Sequence, residues 1–195
     1  MPNPRANPND DPNSDSRSDL ELIDAVNQGD ADAFASLYHR HHPYAARIAM
    51  RYTSDRNLAL DAVQDSFVYF YKKFPGFVLT AKLTTFLYPV IKHNALTLKQ
   101  KARRAQGDTS EEALKAQPAP GSDLGGDHAV NDLHTLLNNL PEPQREVLVM
   151  RFVDGLTVEE IAKALDVPTG TVKTRTHHAI KKLRESPATK KYFDL

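Results

Sequence analysis

Apolar residues recur three and four positions apart along most of the chain, with polar residues between them. This spacing places apolar side chains on one face of a helix, and no segment shows the strict alternation typical of a strand. The pattern therefore predicts an all-α fold. We expect helices over Leu20–Val26, Ala33–Tyr38, Tyr44–Tyr52, from Ser54 or Asp55 to Phe74, and over Thr84–Arg104, Val130–Leu140, Pro141–Val153, Val158–Leu165 and Thr169–Glu185.

Pro89 interrupts the predicted helix Thr84–Arg104. A proline inside a helix removes one backbone hydrogen bond and costs about 3 kcal/mol unless it lies in the first turn. We therefore expect this helix to start late or to kink at Pro89.

Two stretches without helical periodicity divide the chain. Residues 1–18 are dominated by Asn, Pro, Asp and Ser, a composition that favours a disordered tail. Between Gln106 and Asp127, proline and glycine residues accumulate, as is typical of a domain boundary. We therefore expect two small helical domains, at residues 19–104 and 130–185, joined by a flexible linker at residues 105–129 and followed by a tail at residues 186–195.

The segment Leu156–Glu185 has the pattern of a helix-turn-helix. Thr157 and Glu160 can form a capping box at the start of a short helix, and a tight turn leads to a second helix that Thr169 can cap. The outward face of the second helix suits a DNA groove, although Lys181, Lys182 and Arg184 could equally complement the helix dipole. By periodicity, the inward residues are Val172, Thr176, Ala179 and Leu183, and the outward ones are Thr171, Lys173, Thr174, Arg175, His178 and Lys182.

Charge and composition narrow the function further. The chain has 25 basic and 25 acidic residues, but two segments, Lys92–Arg104 and Thr171–Lys191, are strongly basic and suggest two nucleic-acid contacts. The absence of cysteine excludes disulfides, thiolate metal sites and a cysteine nucleophile. No segment has the composition of a membrane span or signal peptide, so we expect a cytoplasmic protein without membrane insertion.

Both halves of the chain resemble conserved regions of bacterial sigma factors. Leu140-Pro141 ahead of QREVLVMRFVDGLTVEEIAKAL, together with VPTGTVKTR, resembles the fourth conserved region. DAVQDSFVYFYKKFPGF followed by TTFLYPVIKHNALTLKQKARR resembles the second region. The resemblance extends over nearly all of Asp19 to Arg184 except the linker, and the additional domains of primary sigma factors are missing. This architecture is similar to that of the extracytoplasmic-function type.

The resemblance implies a DNA-binding subunit of RNA polymerase with no catalytic residue, metal or cofactor. Its partners would be promoter DNA and core RNA polymerase, which it would bind through the clamp and flap of the large subunits. The resemblance leaves open whether an anti-sigma factor is a further partner. The residues expected to bind polymerase are Asp61, Gln64, Asp65 and Phe67. Those expected to read the melted minus-ten element are Phe77, Lys82, Tyr88, Lys92, Asn94, Lys99, Arg103 and Arg104. Those expected to read the duplex minus-thirty-five element are Thr169, Thr171, Lys173, Thr174, Arg175, His178 and Lys182.

Two other functions are compatible with parts of the sequence. A ligand-sensing helix-turn-helix regulator would share the C-terminal pattern but would leave the aromatic-rich helix and the adjoining basic helix unexplained. A metal-dependent enzyme would need its histidines to converge, and adjacent histidines rarely share one helix face. The candidate metal ligands are His39, His41, His42, His177 and His178. A binding assay with core polymerase distinguishes a sigma factor from such a regulator. Metal analysis of the purified protein tests the metal-dependent enzyme hypothesis.

Overall fold

The computed structural model describes residues 15–105 and 136–186, and these residues form helices and loops but no strand. The predicted all-α class is therefore confirmed. Predictions for residues 1–14, 106–135 and 187–195, which include the linker, lie outside the described residues. The helices are α1 (Asp19–Asn27), α2 (Ala31–Thr53), α3 (Arg56–Tyr71), α4 (Leu83–Ala105), α5 (Glu142–Phe152), α6 (Val158–Leu165) and α7 (Thr169–Glu185).

Helix α2 is continuous, whereas the sequence pattern predicted two helices in its place. Pro43 lies inside α2 and cannot donate a backbone hydrogen bond. Leu37 and Ile48, on either side of this proline, are both completely buried. Burial of apolar side chains along the whole length of α2 offsets the missing bond, and the predicted break before Tyr44 is wrong.

Helix α4 likewise continues past a proline. It begins at Leu83, so Pro89 lies well inside it, and the predicted late start is wrong. Leu87 and Ile91 flank Pro89 and are completely buried. As in α2, packing on both sides of the proline holds the helix together.

Side-chain caps explain where the first three helices begin. Ser18 and Glu21 form a capping box at the start of α1, and Asp30 accepts hydrogen bonds from two backbone amides of α2. Asp55 accepts one from the amide of Leu58 at the start of α3, as the sequence suggested. These bonds satisfy amides that have no partner within the helix.

Helices α1–α4 form the N-terminal unit. Helices α2, α3 and α4 pack against one another, and α1 packs on α2. Phe70 lies fully buried at the centre of an aromatic cluster that also fixes the loop between α3 and α4. Its ring centroid lies 5.2 to 5.6 Å from those of Phe34, Phe74, Phe77 and Phe86.

Helices α5–α7 form the C-terminal unit, in which α6 and α7 are the predicted helix-turn-helix. The capping box of Thr157 and Glu160 is present at the start of α6. Asp166 ends α6 in the left-handed conformation, with φ of 52°, and so turns the chain toward α7. Ile161 and Val172 are completely buried between the two helices and their neighbours.

The predicted cap of α7 is wrong. Thr169 is the first residue of this helix, and Pro168 occupies the N-cap position without a side-chain hydrogen bond. Proline has no side-chain acceptor, so the first amides of α7 receive no side-chain cap from this position.

The two units pack directly against each other. Val147 and Met150 of the C-terminal unit belong to the same cluster of buried side chains as Ile48 and Ile91 of the N-terminal unit. Helix α6 packs against α4. The sequence predicted the units but not the contact between them.

Replacing Phe70 with Ala is expected to destabilise the protein by about 3 to 5 kcal/mol, because it empties the centre of the aromatic cluster. Chemical denaturation followed by circular dichroism measures this change. Leu60→Ala, at an exposed position of the same helix, is the matched control and is expected to stay within about 0.5 kcal/mol of the unchanged chain. A similar small loss for Phe70→Ala would contradict the core assignment.

Candidate polymerase and nucleic-acid interfaces

Helix α3 exposes most of the residues predicted to bind polymerase. Asp61, Gln64 and Asp65 are exposed on its outward side. Phe67 is only 3% exposed, and its ring makes an edge contact with Tyr38 at a centroid distance of 4.8 Å. The structure therefore places Phe67 in the core, where it cannot contact a partner directly.

The apolar part of the α3 surface comes from residues that the sequence analysis missed. Leu60, Val68 and Tyr69 remain 43 to 47% exposed. Residues four apart lie on one side of a helix, so Leu60 and Val68 flank Gln64 in one row, and Tyr69 continues the row of the two aspartates. A helix face that combines carboxylates with exposed apolar side chains suits a basic protein surface. The sequence did contain a signal for these residues, because the apolar positions of α3 cover a wider arc than one buried helix face can hold.

The loop between α3 and α4 is held by Asn27, another residue that sequence reasoning missed. The Asn27 side-chain amide donates a hydrogen bond to the Phe77 carbonyl at 2.9 Å. Its oxygen accepts from the amides of Gly76 at 2.7 Å and Phe77 at 3.1 Å. The Phe77 ring is half-buried and packs on Phe70 and Phe86. The loop therefore has a fixed start, while its later residue Lys82 keeps 60% of its side chain exposed.

Helix α4 holds several predicted DNA-binding residues in internal contacts. Tyr88 is completely buried, so its predicted direct contact with DNA does not fit this arrangement. Asn94 donates a hydrogen bond to the Ser66 hydroxyl at 3.0 Å, and Lys99 donates one to the Tyr52 carbonyl at 3.2 Å. Arg103 is half-buried and Arg104 is exposed near the end of the helix.

Lys92 meets a buried carboxylate of the C-terminal unit. Its Nζ lies 2.6 Å from Oε1 of Glu146, a residue that is only 7% exposed. The hydroxyls of Tyr52 and Tyr88 donate to the same oxygen at 2.6 and 2.8 Å. Four side chains from α2, α4 and α5 thus converge on one point between the units.

The surroundings of Glu146 favour its charged form. Burial acts to raise the pKa of this carboxyl, but Lys92 and the two tyrosine hydroxyls outweigh it and lower the pKa below its usual value. Burial, followed by the nearby carboxylate, raises the pKa of Tyr52. The tyrosines therefore remain protonated donors, and Glu146 remains an anion at neutral pH.

Helix α7 presents the predicted outward residues at the surface. Lys173, Thr174 and His178 are exposed, whereas Thr171 and Arg175 are partly exposed. Thr169 and Lys182 are also exposed, at the two ends of the helix. Val172 and Ala179 on the opposite side are completely buried, which fixes the rotation of α7. The second helix of a helix-turn-helix, held in this way, can enter a DNA major groove.

Neither metal binding nor membrane insertion is indicated by the described residues. Within residues 15–105 and 136–186, no three His, Asp or Glu side chains are grouped so that they could hold a metal ion. In the same ranges, no helix is both long and apolar enough to cross a membrane.

Comparison with known families identifies both units. Residues 37–105 match the family model described as Sigma-70 region 2, and residues 131–183 match the one described as Sigma-70, region 4. Together these two matches span most of the described helices, in the order expected for a sigma factor.

Individual relatives and a solved structure agree with these matches. The chain is 30% identical over 172 residues to an extracytoplasmic-function (ECF) RNA polymerase sigma-E factor of Haemophilus influenzae, covering 83% of this chain and 90% of that protein. It is 28% identical to the ECF sigma factor SigW of Bacillus subtilis, covering 84% and 93%. The fold is similar to that of the sigma factor RpoE of Bartonella quintana, solved with the anti-sigma factor NepR, with a TM-score of 0.60, 22% identity, and coverage of 78% and 94%.

Asn27→Ala is expected to loosen the start of the loop, because it removes three hydrogen bonds to the backbone of Gly76 and Phe77. Hydrogen exchange followed by mass spectrometry should show faster exchange in peptides that contain these two amides. Asn57→Ala, at an exposed position, is the control and should leave their exchange unchanged. Unaltered protection in Asn27→Ala would show that the aromatic cluster alone fixes the loop.

Proposed function

This chain belongs to the extracytoplasmic-function sigma factors of bacterial RNA polymerase, and we propose that its two units contact different parts of the promoter. As a sigma factor, it binds core RNA polymerase, recognises promoter DNA and initiates transcription. The observation that carries this function is the occurrence of region 2 and region 4 in one chain, in that order. The N-terminal unit is called region 2 below, and the C-terminal unit region 4.

This family membership sets the class of activity. Sigma factors are DNA-binding regulatory subunits, and we expect the chain itself to carry no catalytic centre and to act in the cytoplasm, where the polymerase transcribes. A ligand-sensing regulator is not favoured, because it offers no explanation for the match to region 2.

Core polymerase is proposed to bind the outward face of α3. Asp61, Gln64 and Asp65 would meet basic residues of the clamp in the largest subunit, while Leu60 and Val68 would supply apolar contact area. The exposure of all five side chains supports this assignment. Electrostatic attraction of this kind speeds association and orients the partners.

The Asp65→Lys variant is expected to weaken binding to core polymerase by roughly tenfold or more, because it places a cation against a basic surface. Fluorescence anisotropy with labelled chain and purified core enzyme measures the affinity. Asp24→Lys makes the same charge change at an exposed position on α1 and should bind as the unchanged chain does. Equal affinities for both variants would remove α3 from the polymerase interface.

Region 2 is proposed to hold the melted minus-ten element. The loop that starts at Phe77 and ends at Lys82 would contact unpaired bases, with cations of α4 along the DNA backbone. Single-stranded recognition combines such a positive groove with aromatic and polar base contacts. The exposure of Lys82 and Arg104 supports this role, whereas Lys92 and Lys99 need a change from their present contacts with Glu146 and Tyr52. The proposed cations on α4 are Lys92, Lys99, Arg103 and Arg104, and Asn94 would lie among them.

Region 4 is proposed to read the duplex minus-thirty-five element through α7. Lys173 and Arg175 lie early on this helix, where the side chains of a helix-turn-helix reach base edges. Lys182 lies near its other end and suits a phosphate contact. Base contacts determine sequence preference, while phosphate contacts mainly supply affinity.

Arg175→Ala is expected to cost about 1 to 3 kcal/mol of binding and to relax selectivity at one position of the upstream element, because a bidentate contact to a base is lost. Lys182→Ala is the matched comparison and should weaken binding to all sequences alike. Holoenzyme binding to a library of minus-thirty-five variants measures both effects. Uniform weakening by Arg175→Ala would indicate a phosphate contact instead.

An anti-sigma factor is a further proposed partner. The support is that the similar structure of RpoE from Bartonella quintana contains the anti-sigma factor NepR. A protein that holds this chain away from polymerase would have to cover the α3 face.

A further inference from the structure

Asn27 joins the end of α1 to the loop that leads into α4. Its side-chain nitrogen donates to the Phe77 carbonyl at 2.9 Å, and its oxygen accepts from the amides of Gly76 and Phe77 at 2.7 and 3.1 Å. One side chain thus binds both backbone groups of Phe77. Asn27 is the last residue of α1, which is fixed on the core by the buried Leu22 and Ile23. These three hydrogen bonds, called the Asn27 clamp below, therefore fasten the loop to a rigid helix.

The clamp depends on the chemistry of a carboxamide. The Asn27 oxygen faces two N–H donors and its nitrogen faces a carbonyl, so this orientation of the side chain satisfies every contact. An aspartate could accept the same two bonds but would turn its second oxygen toward the Phe77 carbonyl. The end of α1 does not itself need this side chain, because the backbone amide of Gln28 bonds the last carbonyls of the helix. Asn27 therefore serves the loop.

Gly76 gives the loop backbone the course that the clamp requires. Its φ of 97° lies in a region that residues with a Cβ rarely adopt. A Cβ at this position would meet no heavy atom of the described residues within 4 Å. A substitution at Gly76 would therefore displace the loop through the backbone angle alone. Asn27 and Gly76 thus set the course of the loop from its two sides.

The clamp determines where the exposed part of the loop lies. Phe77 is fixed at one end and Leu83, only 1% exposed, at the other, so residues 78–82 span the distance between two fixed points. Exposed and partly buried side chains alternate along this short segment. A displacement of Phe77 would therefore move every outward side chain. The outward residues are Val78, Thr80 and Lys82, and the partly buried ones are Leu79 and Ala81.

We propose that Asn27 is a positioning residue for minus-ten selectivity, which holds the loop so that its outward side chains meet a particular set of unpaired bases. This inference rests on the proposed function of the loop and adds a residue of α1, a helix to which no DNA contact is assigned. Recognition requires side chains to be held within about 0.5 Å. Base contacts determine sequence preference, whereas cations on phosphates bind all sequences alike. A displaced loop therefore loses discrimination between bases but retains general binding to single strands.

Selectivity is measured with the full chain and core polymerase on templates randomised in the minus-ten element, each linked to a transcribed barcode. For Asn27→Ala, the ratio between the preferred base and the next best should fall about fivefold or more at the position that the loop reads. Preferences in the minus-thirty-five element should not change. Binding to a single-stranded oligonucleotide of mixed sequence should stay within about twofold of the unchanged chain. Gln28→Ala removes a carboxamide from the neighbouring, exposed position and should keep the full ratio.

Two further variants separate positioning from a loss of folding. Asn27→Asp keeps the size of the side chain and should also lower the ratio, because it opposes the Phe77 carbonyl. Gly76→Ala should lower the ratio by displacing the same backbone. If both positions act through the loop, the double variant of Asn27→Ala with Gly76→Ala should lose little more than the stronger single variant. Independent losses that multiply would overturn the proposal.

Two other results would also overturn it. Full selectivity in Asn27→Ala and Asn27→Asp would show that the loop needs no clamp. A parallel fall in helical content, polymerase binding and mixed-sequence binding would show that Asn27 only supports the fold.

The proposed function of the loop is tested separately by Val78→Ala, which trims a side chain that is 75% exposed. A base preference that changes in Val78→Ala but not in the Asn27 variants would contradict only the role of Asn27. A preference that changes in none of these variants would contradict the proposed function of the loop as well.

Discussion

The arrangement of the two units depends on buried carboxylates, of which Glu146 makes the shortest contact with a cation of the other unit. Glu146 of α5 can be buried against α2 and α4 only because Lys92, Tyr52 and Tyr88 all direct hydrogen-bond donors at it. A carboxylate without such partners would be too costly to bury. The apolar packing around it is not directional, whereas these hydrogen bonds require one specific position of region 4 on region 2.

This dependence connects stability with the proposed function. Lys92 and Lys82, which pair with Glu146 and Glu160 of region 4, are also among the cations proposed to contact promoter DNA. Promoter phosphates attract such cations. Under the proposed function, packing between the units and promoter binding would use the same side chains.

The sequence predicted the helices and the helix-turn-helix because both depend on local spacing. The predicted break before Tyr44 and the predicted late start at Pro89 are wrong, because burial along each helix outweighs the local cost of proline. Phe67 was assigned to the polymerase interface from the family resemblance, whereas the structure buries it in the core, as the apolar spacing of this helix alone indicates. Glu146 and Asn27 were missed because their partners lie 54 positions away at Lys92 and 50 positions away at Phe77, distances that only the fold brings together.

The most direct test is a structure of the promoter complex formed by this chain and core polymerase, determined by cryo-electron microscopy. We expect α3 on the polymerase clamp, α7 in the major groove upstream, and Lys92 separated from Glu146 and close to the phosphates of the melted strand. A promoter complex in which Lys92 still contacts Glu146 while the minus-ten element is bound elsewhere would contradict this mechanism.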